Sequence, residues 1–266
     1  HRGRSGVTGA RIAAAVVLAL LASMPRAEKL EPQADLPREE VVSGLEFVTA
    51  ETRALQQDDF ANPGLLWVDR GRLLFEKVDG KASCLQCHED KLAGAYTRYP
   101  LVDKASATLV SMEDRINRCR EQQQALPPLS PESDELLALS IFVAAQSNGL
   151  PYSVTTVGDA RPFFDQGRAY FFQRRGQLNL ACDQCHDQNW GKKLRGDTIS
   201  QGQPTAFPGY RMEWQGAGSL HRRLQDCDVG VRAEPHALGS YEYKALELYL
   251  AWRAGDLPIE VPGVRR

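Results

Sequence analysis

The sequence predicts a mainly α-helical chain, internally duplicated and preceded by an N-terminal extension. Three observations carry this expectation. Two Cys-x-x-Cys-His motifs, Cys84-Leu85-Gln86-Cys87-His88 and Cys182-Asp183-Gln184-Cys185-His186, lie 98 residues apart. A longer repeat surrounds them. Each half closes on an apolar stretch of helical length, and strand signals are weak throughout.

Two cysteines separated by two residues, followed by histidine, form the attachment signature of haem c. The cysteines bond the vinyl groups, and the histidine lies under the iron as proximal ligand. A zinc site would call for a second Cys or His pair at matching spacing, and none follows either motif. The expected cofactors are two covalently bound haem c groups, held by Cys84, Cys87 and His88 and by Cys182, Cys185 and His186. The fold expected is accordingly two tandem class I-like cytochrome c domains related by duplication. A packed haem supplies much of the core of such small domains.

From the N-terminus, residues 1–27 read as a secretory signal. Arg2, Arg4 and Arg11 precede the apolar run Ile12–Ala22, which is too short to span a membrane. Cleavage after Ser23 or Ala27 fits. No Arg-Arg pair precedes the run, so the general secretory route is expected. Removing the four leader arginines takes the formal charge from −2 to −6, which argues against a nucleic-acid partner. The mature chain is expected to be periplasmic, without a membrane span. Export to an oxidising compartment agrees with the six cysteines and with haem c, which is completed outside the cytoplasm.

Residues 28–63 read as a partly helical extension with no repeat partner. Residues 64–150 form the first expected domain and 151–266 the second, with Leu150–Ala160 as linker. Asp69-Arg70-Gly71-Arg72 with Phe75 matches Asp165-Gln166-Gly167-Arg168 with Phe171, which places a helix before each haem motif. Tyr99-Pro100 and Phe207-Pro208 each lie 20 residues before a further cysteine, Cys119 and Cys227. Closing helices are expected over 134–147 and 241–254, N-capped by Ser133 and Ser240. Asn148-Gly149-Leu150-Pro151 and Gly255-Asp256-Leu257-Pro258 stop them.

The sixth iron ligand separates the possible functions. Met112 and Met212 break the repeat and read as packing residues. His221 matches Glu113, and neither His221 nor His236 has a counterpart; both read as surface histidines. Cys119 and Cys227 do obey the repeat. Ligation of both irons by histidine and cysteine is therefore expected, His88 with Cys119 and His186 with Cys227. The competing reading is a Cys119–Cys227 disulfide, which needs Cα atoms within about 6 Å. In a helix, Arg223 would share a face with Cys227, favouring thiolate and offering a bidentate grip on an anion. Arg115 stands in the same place beside Cys119, so pairing with a haem propionate is an equal alternative.

The stretch Thr52-Arg53-Ala54-Leu55-Gln56-Gln57-Asp58-Asp59-Phe60-Ala61-Asn62-Pro63-Gly64, with Trp67-Val68-Asp69-Arg70-Gly71, resembles the SoxA family. The likeness runs from about Leu45 to the C-terminus and includes Arg223-x-x-x-Cys227. It implies the dihaem subunit of an L-cysteine S-thiosulfotransferase, joining thiosulfate oxidatively to a cysteine of the carrier SoxYZ. Electrons would pass to the monohaem partner SoxX and on to a small cytochrome c. The resemblance makes Cys227 the catalytic residue and a ligand of the second haem, often as a persulfide. It makes Arg223 substrate-binding and Cys119 the ligand of the first haem. The readings it competes with are a dihaem electron-transfer cytochrome, a dihaem peroxidase and a redox sensor built on Cys119 and Cys227.

Overall fold

Residue 1 and residues 34–266, save residue 90, are described by a computed structural model. The expected leader falls, but for its first residue, outside the described residues. The major elements follow in chain order. They are α1 (Ala50–Gln57), α2 (Leu65–Glu76), α3 (Cys84–His88), β1 (Leu101–Asp103), β2 (Thr108–Val110), α4 (Met112–Cys119), α5 (Asp134–Ala145), α6 (Arg161–Phe172), α7 (Cys182–His186), β3 (Lys193–Leu194), β4 (Asp197–Thr198), β5 (Gly209–Arg211), β6 (Gly216–Gly218), α8 (Leu220–Gly230), α9 (Tyr241–Arg253) and β7 (Val264–Arg265).

The order α2-α3-β1-β2-α4-α5 recurs as α6-α7-β5-β6-α8-α9, with β3 and β4 inserted. In both hairpins the register is equivalent: Leu101 pairs Val110 and Asp103 pairs Thr108, as Gly209 pairs Gly218 and Arg211 pairs Gly216. The Pro100 and Pro208 peptide bonds are both cis. Ser111 and Ser219 cap α4 and α8, accepting from the backbone N–H of Asp114 and Arg222. Ser133 and Ser240 cap the closing helices as expected, accepting from Leu136 and Tyr243.

One helix crossing defines each half. At Gly71 a Cβ would lie 2.0 Å from the Ala138 carbonyl oxygen, and at Gly167 1.9 Å from that of Ala245. Only glycine lets α2 and α6 lie this close to α5 and α9. The closing helices are buried along most of their length, which their near-continuous apolar sequence requires.

The halves are not independent. One cluster gathers Phe164, Phe171, Tyr243, Leu246, Tyr249 and Leu250 of the second half around Leu109 of the first. The other gathers Tyr96, Met112, Ile141 and Val143 of the first half around Ala217 of the second. Leu109 and Ala217 are equivalent repeat positions, so each hairpin packs into the opposite core. Tyr96 also donates its hydroxyl to the Phe207 carbonyl at 3.1 Å. Residues 35–266 accordingly form one compact unit.

The extension is fastened to the second half and the C-terminal segment. Asp35 pairs with Arg168 at 3.1 Å and accepts from the Tyr249 hydroxyl at 2.5 Å. Arg38 stacks 4.4 Å from the Trp252 ring. Asn62 donates to the Pro262 carbonyl at 3.0 Å, and Gln56 accepts from Val264 N–H at 2.9 Å beside β7, which pairs parallel with β5.

Candidate functional site

Each Cys-x-x-Cys-His run is a single helical turn. Ser83 opens α3 in a reciprocal capping box with Gln86, and Gln184 accepts from Ala181 N–H at 2.9 Å to open α7. The turn brings both cysteines to one side and leaves the histidine at its C-terminal end.

His186 is the better defined of the two histidines. Its Nδ1 lies 2.7 Å from the Ser200 carbonyl oxygen. A carbonyl only accepts, so Nδ1 carries the proton and Nε2 keeps its lone pair for a metal. Burial, with the cations Arg223 and Arg253 nearby, pushes its pKa down to about 4, so the ring stays neutral. The ring is covered by backbone at Gly202, where a Cβ would stand 2.9 Å from His186 Cγ. His88 is likewise lowered, by burial first and then by Arg115.

No disulfide joins Cys119 to Cys227. Cys119 ends α4 and Cys227 lies in the last turns of α8. Burial raises the Cys84 thiol, and Cys119 is the next contributor. Burial and then Cys227 raise Cys182, and the same two causes act on Cys185. Cys119 and Cys227 each therefore act electrostatically on the Cys-x-x-Cys pair of their own half. Two thiols, a neutral imidazole nitrogen and a distal thiol are a donor set that fits haem c with histidine and cysteine as axial ligands.

Arg223 and Cys227 lie four residues apart within α8, and Arg115 and Cys119 within α4. Neither arginine has a carboxylate partner among the described residues. Arg70, Arg118, Arg175, Arg253 and Arg265, by contrast, each pair with a carboxylate.

The expectation of surface histidines is corrected. His221 is buried; its Nε2 lies 3.1 Å from Glu247, and its Nδ1 accepts from Gly239 N–H at 3.0 Å. His236 is half-buried, with Nε2 3.2 Å from Arg175 Nη2. Both rings are engaged in polar networks that the duplication lacks. Met112 is core, as expected, while Met212 is half-buried just after β5.

Sequence reasoning missed the residues that hold the distal segments. Asp79 precedes the first motif and faces Arg120, the residue after Cys119, at 3.8 Å. Arg175 precedes the second motif and pairs with Asp228, the residue after Cys227, at 2.7 Å. Asp79 and Arg175 each open an isolated antiparallel bridge, with Ala82 and Leu180 respectively, so the positions are equivalent and the charges are exchanged. Asp228 also accepts from the Tyr170 and Tyr243 hydroxyls at 2.9 and 2.7 Å. A reversal of charge along an otherwise matching repeat was the signal available.

Known proteins agree with this geometry. Residues 70–152 match the family model described as SoxA/TsdA, cytochrome c domain, a type of domain that binds haem c covalently. The L-cysteine S-thiosulfotransferase subunit SoxA of Pseudaminobacter salicylatoxidans is 36% identical over 86% of this chain and 82% of its own length. The proteins of that name from Rhodovulum sulfidophilum and Paracoccus pantotrophus are 34% and 35% identical, covering 81% and 79% of their lengths. The crystal structure of SoxXA from P. pantotrophus superposes with a TM-score of 0.82 at 35% identity, over 85% of this chain and 87% of that one. Two Cys-x-x-Cys-His turns, a further cysteine in each half and relatives of this closeness lead to one conclusion: the chain belongs to the SoxA family of L-cysteine S-thiosulfotransferase subunits.

Proposed function

We propose that this chain is the dihaem subunit of a periplasmic complex that joins thiosulfate to a cysteine of the carrier SoxYZ. Electrons pass to a monohaem partner of the SoxX type and then to a small cytochrome c. Cys84, Cys87 and His88, and Cys182, Cys185 and His186, hold the two haems, with Cys119 and Cys227 as distal ligands. The haem domains correspond to residues 64–150 and 151–266. Among the described residues no helix is long and apolar enough to cross a membrane.

The observation that carries the reading is the placing of Cys227 and Arg223 one turn apart on one helix, where the guanidinium forms no ion pair among the described residues. Thiosulfate is a dianion, and Arg223 holds its sulfonate oxygens bidentately. The Cys227 sulfur bonds the sulfane sulfur with loss of two electrons. The haem held by Cys182, Cys185 and His186 supplies a one-electron acceptor, so these two electrons leave one at a time, each passing on to the SoxX-type partner before the next. The carrier thiolate then attacks the sulfane sulfur, forming the carrier's S-thiosulfonate and releasing Cys227 as thiolate. The balance is one carrier thiol and one thiosulfate in, one conjugate, one proton and two electrons out.

The test is Cys227→Ala in the assembled complex. Thiosulfate-dependent reduction of cytochrome c is expected to fall by at least about a hundredfold, with both haems still attached by intact mass. Full activity in this variant would exclude the assignment.

A further inference from the structure

The halves share what both haems need, so a feature confined to the second half serves what only the second half does. The set of side chains on the β5–β6 hairpin is such a feature, though the hairpin itself recurs in both halves. In the first half, Asp103 of β1 takes Arg118 of α4 in an ion pair of 2.9 Å, and Ser106 and Thr108 complete the tie. The equivalent positions in the second half are Arg211 and Asp226, with Trp214 in place of Ser106. The charges are exchanged, and the direct pair is gone. Asp226, the residue before Cys227, instead accepts from the Trp214 indole N–H at 3.0 Å.

Arg211 is left without that partner. It is 6% exposed, and its buried Nε has no hydrogen-bond acceptor. Its one carboxylate contact is Glu213, whose side chain is 53% exposed. Its guanidinium lies 4.8 Å from the Trp214 ring, and Arg222 stacks on the same ring at 4.3 Å. Gly218 of β6 packs against this ring so closely that a Cβ there would stand 2.3 Å from Trp214 Cζ3, and Arg222 and Asp226 tie the ring to α8. Burial, and next the charge of Arg223, press the Arg211 pKa below its ordinary value, while Glu213 and Asp226 act the other way. Arg211 and Arg222 thus share one ring whose indole N–H is held by Asp226, next to Cys227, and the unsatisfied buried Nε of Arg211 is a donor that an anion would complete.

We infer that Arg211 is a second anion-binding residue of the Cys227 site, which with Arg223 selects a doubly charged sulfur oxoanion. Glu213 occupies the guanidinium until the substrate displaces it. This rests on the function proposed above. A haem propionate offers the same carboxylate chemistry, but the first haem would need that anchor equally, and the first half has Asp103 in its place.

The experiment measures thiosulfate binding to the holo complex by titration calorimetry, separately from turnover. Arg211→Gln is expected to weaken binding about tenfold and to raise KM similarly, with kcat within about twofold and haem spectra unchanged. Arg211→Lys should recover part of the loss. Glu213→Gln alters an exposed side chain with little risk to folding, and is expected to tighten binding several-fold. Unchanged binding in both glutamine variants overturns the inference. So does a shifted spectrum of the second haem in Arg211→Gln with binding unaltered, which is the propionate outcome. Thiosulfate binding that follows these expectations without any turnover would instead count against the proposed function alone.

Discussion

Residue identity divides the two distal cysteines into different environments. Beside Cys119 stand Arg115 and Arg120; beside Cys227 stand Arg223, Asp226 and Asp228. A second contrast lies between the halves, where Glu113 and His221 occupy equivalent positions near Glu247. Burial, then the Glu247 charge, pushes the Glu113 pKa up to about 7. The folded state thus binds this proton more tightly than the unfolded chain does. Its contribution to stability is present below the ordinary carboxylate pKa and is lost as pH rises through about 7. Glu113→Gln is expected to be more stable than the parent at pH 8, with the difference shrinking towards pH 5. Thermal melts of the holoprotein across that range check this. The two Cys-x-x-Cys-His runs, Cys119, Cys227 and Arg223 stood out as candidates because spacing and repetition are explicit in sequence. Arg211, Asp228 and Arg175 were not, because a reversed charge reads as a break in the repeat until partners are seen face to face.

At the scale of elements, the helices were the readable part. The caps Ser133 and Ser240 and the apolar runs after them place α5 and α9 to within a few residues. The hairpins were invisible, since strands of three residues carry no alternation long enough to recognise. The glycine in each Asp-x-Gly-Arg run marked the repeat without revealing its reason, which is the backbone contact at the helix crossing. Gly167→Ala would drive a methyl group into the Ala245 carbonyl and separate α6 from α9. The expected cost is about 3 kcal/mol or more, seen as a lowered Tm. Gly71→Ala should act similarly on α2 and α5. Melting temperatures within a degree of the parent would show that the crossing is looser than the structure indicates.

Across the whole molecule, the duplication is woven together. Leu109 and Ala217 exchange cores, and the extension fastens onto the second half and the last strand. None of this was legible, because contacts between halves leave no local periodicity. The sequence suggested a linker at Leu150–Ala160; in the structure Pro151 bridges to Pro258, the equivalent stop of the second half.

A tandem duplication carries a folding hazard: each loop can meet the other half's distal segment, which has a similar shape. The exchanged ion pairs answer it. A cross-assembled chain would set Asp79 against Asp228 and Arg175 against Arg120, so both contacts would repel. Opposite polarity acts as an address that tells each half which partner is its own. The double variant Asp79→Arg with Arg120→Asp keeps an ion pair in the first half but erases the address. Its yield of native holoprotein on refolding from denaturant is expected to fall, while its native spectrum is kept. An undiminished yield would show that the shape of the halves alone sorts them.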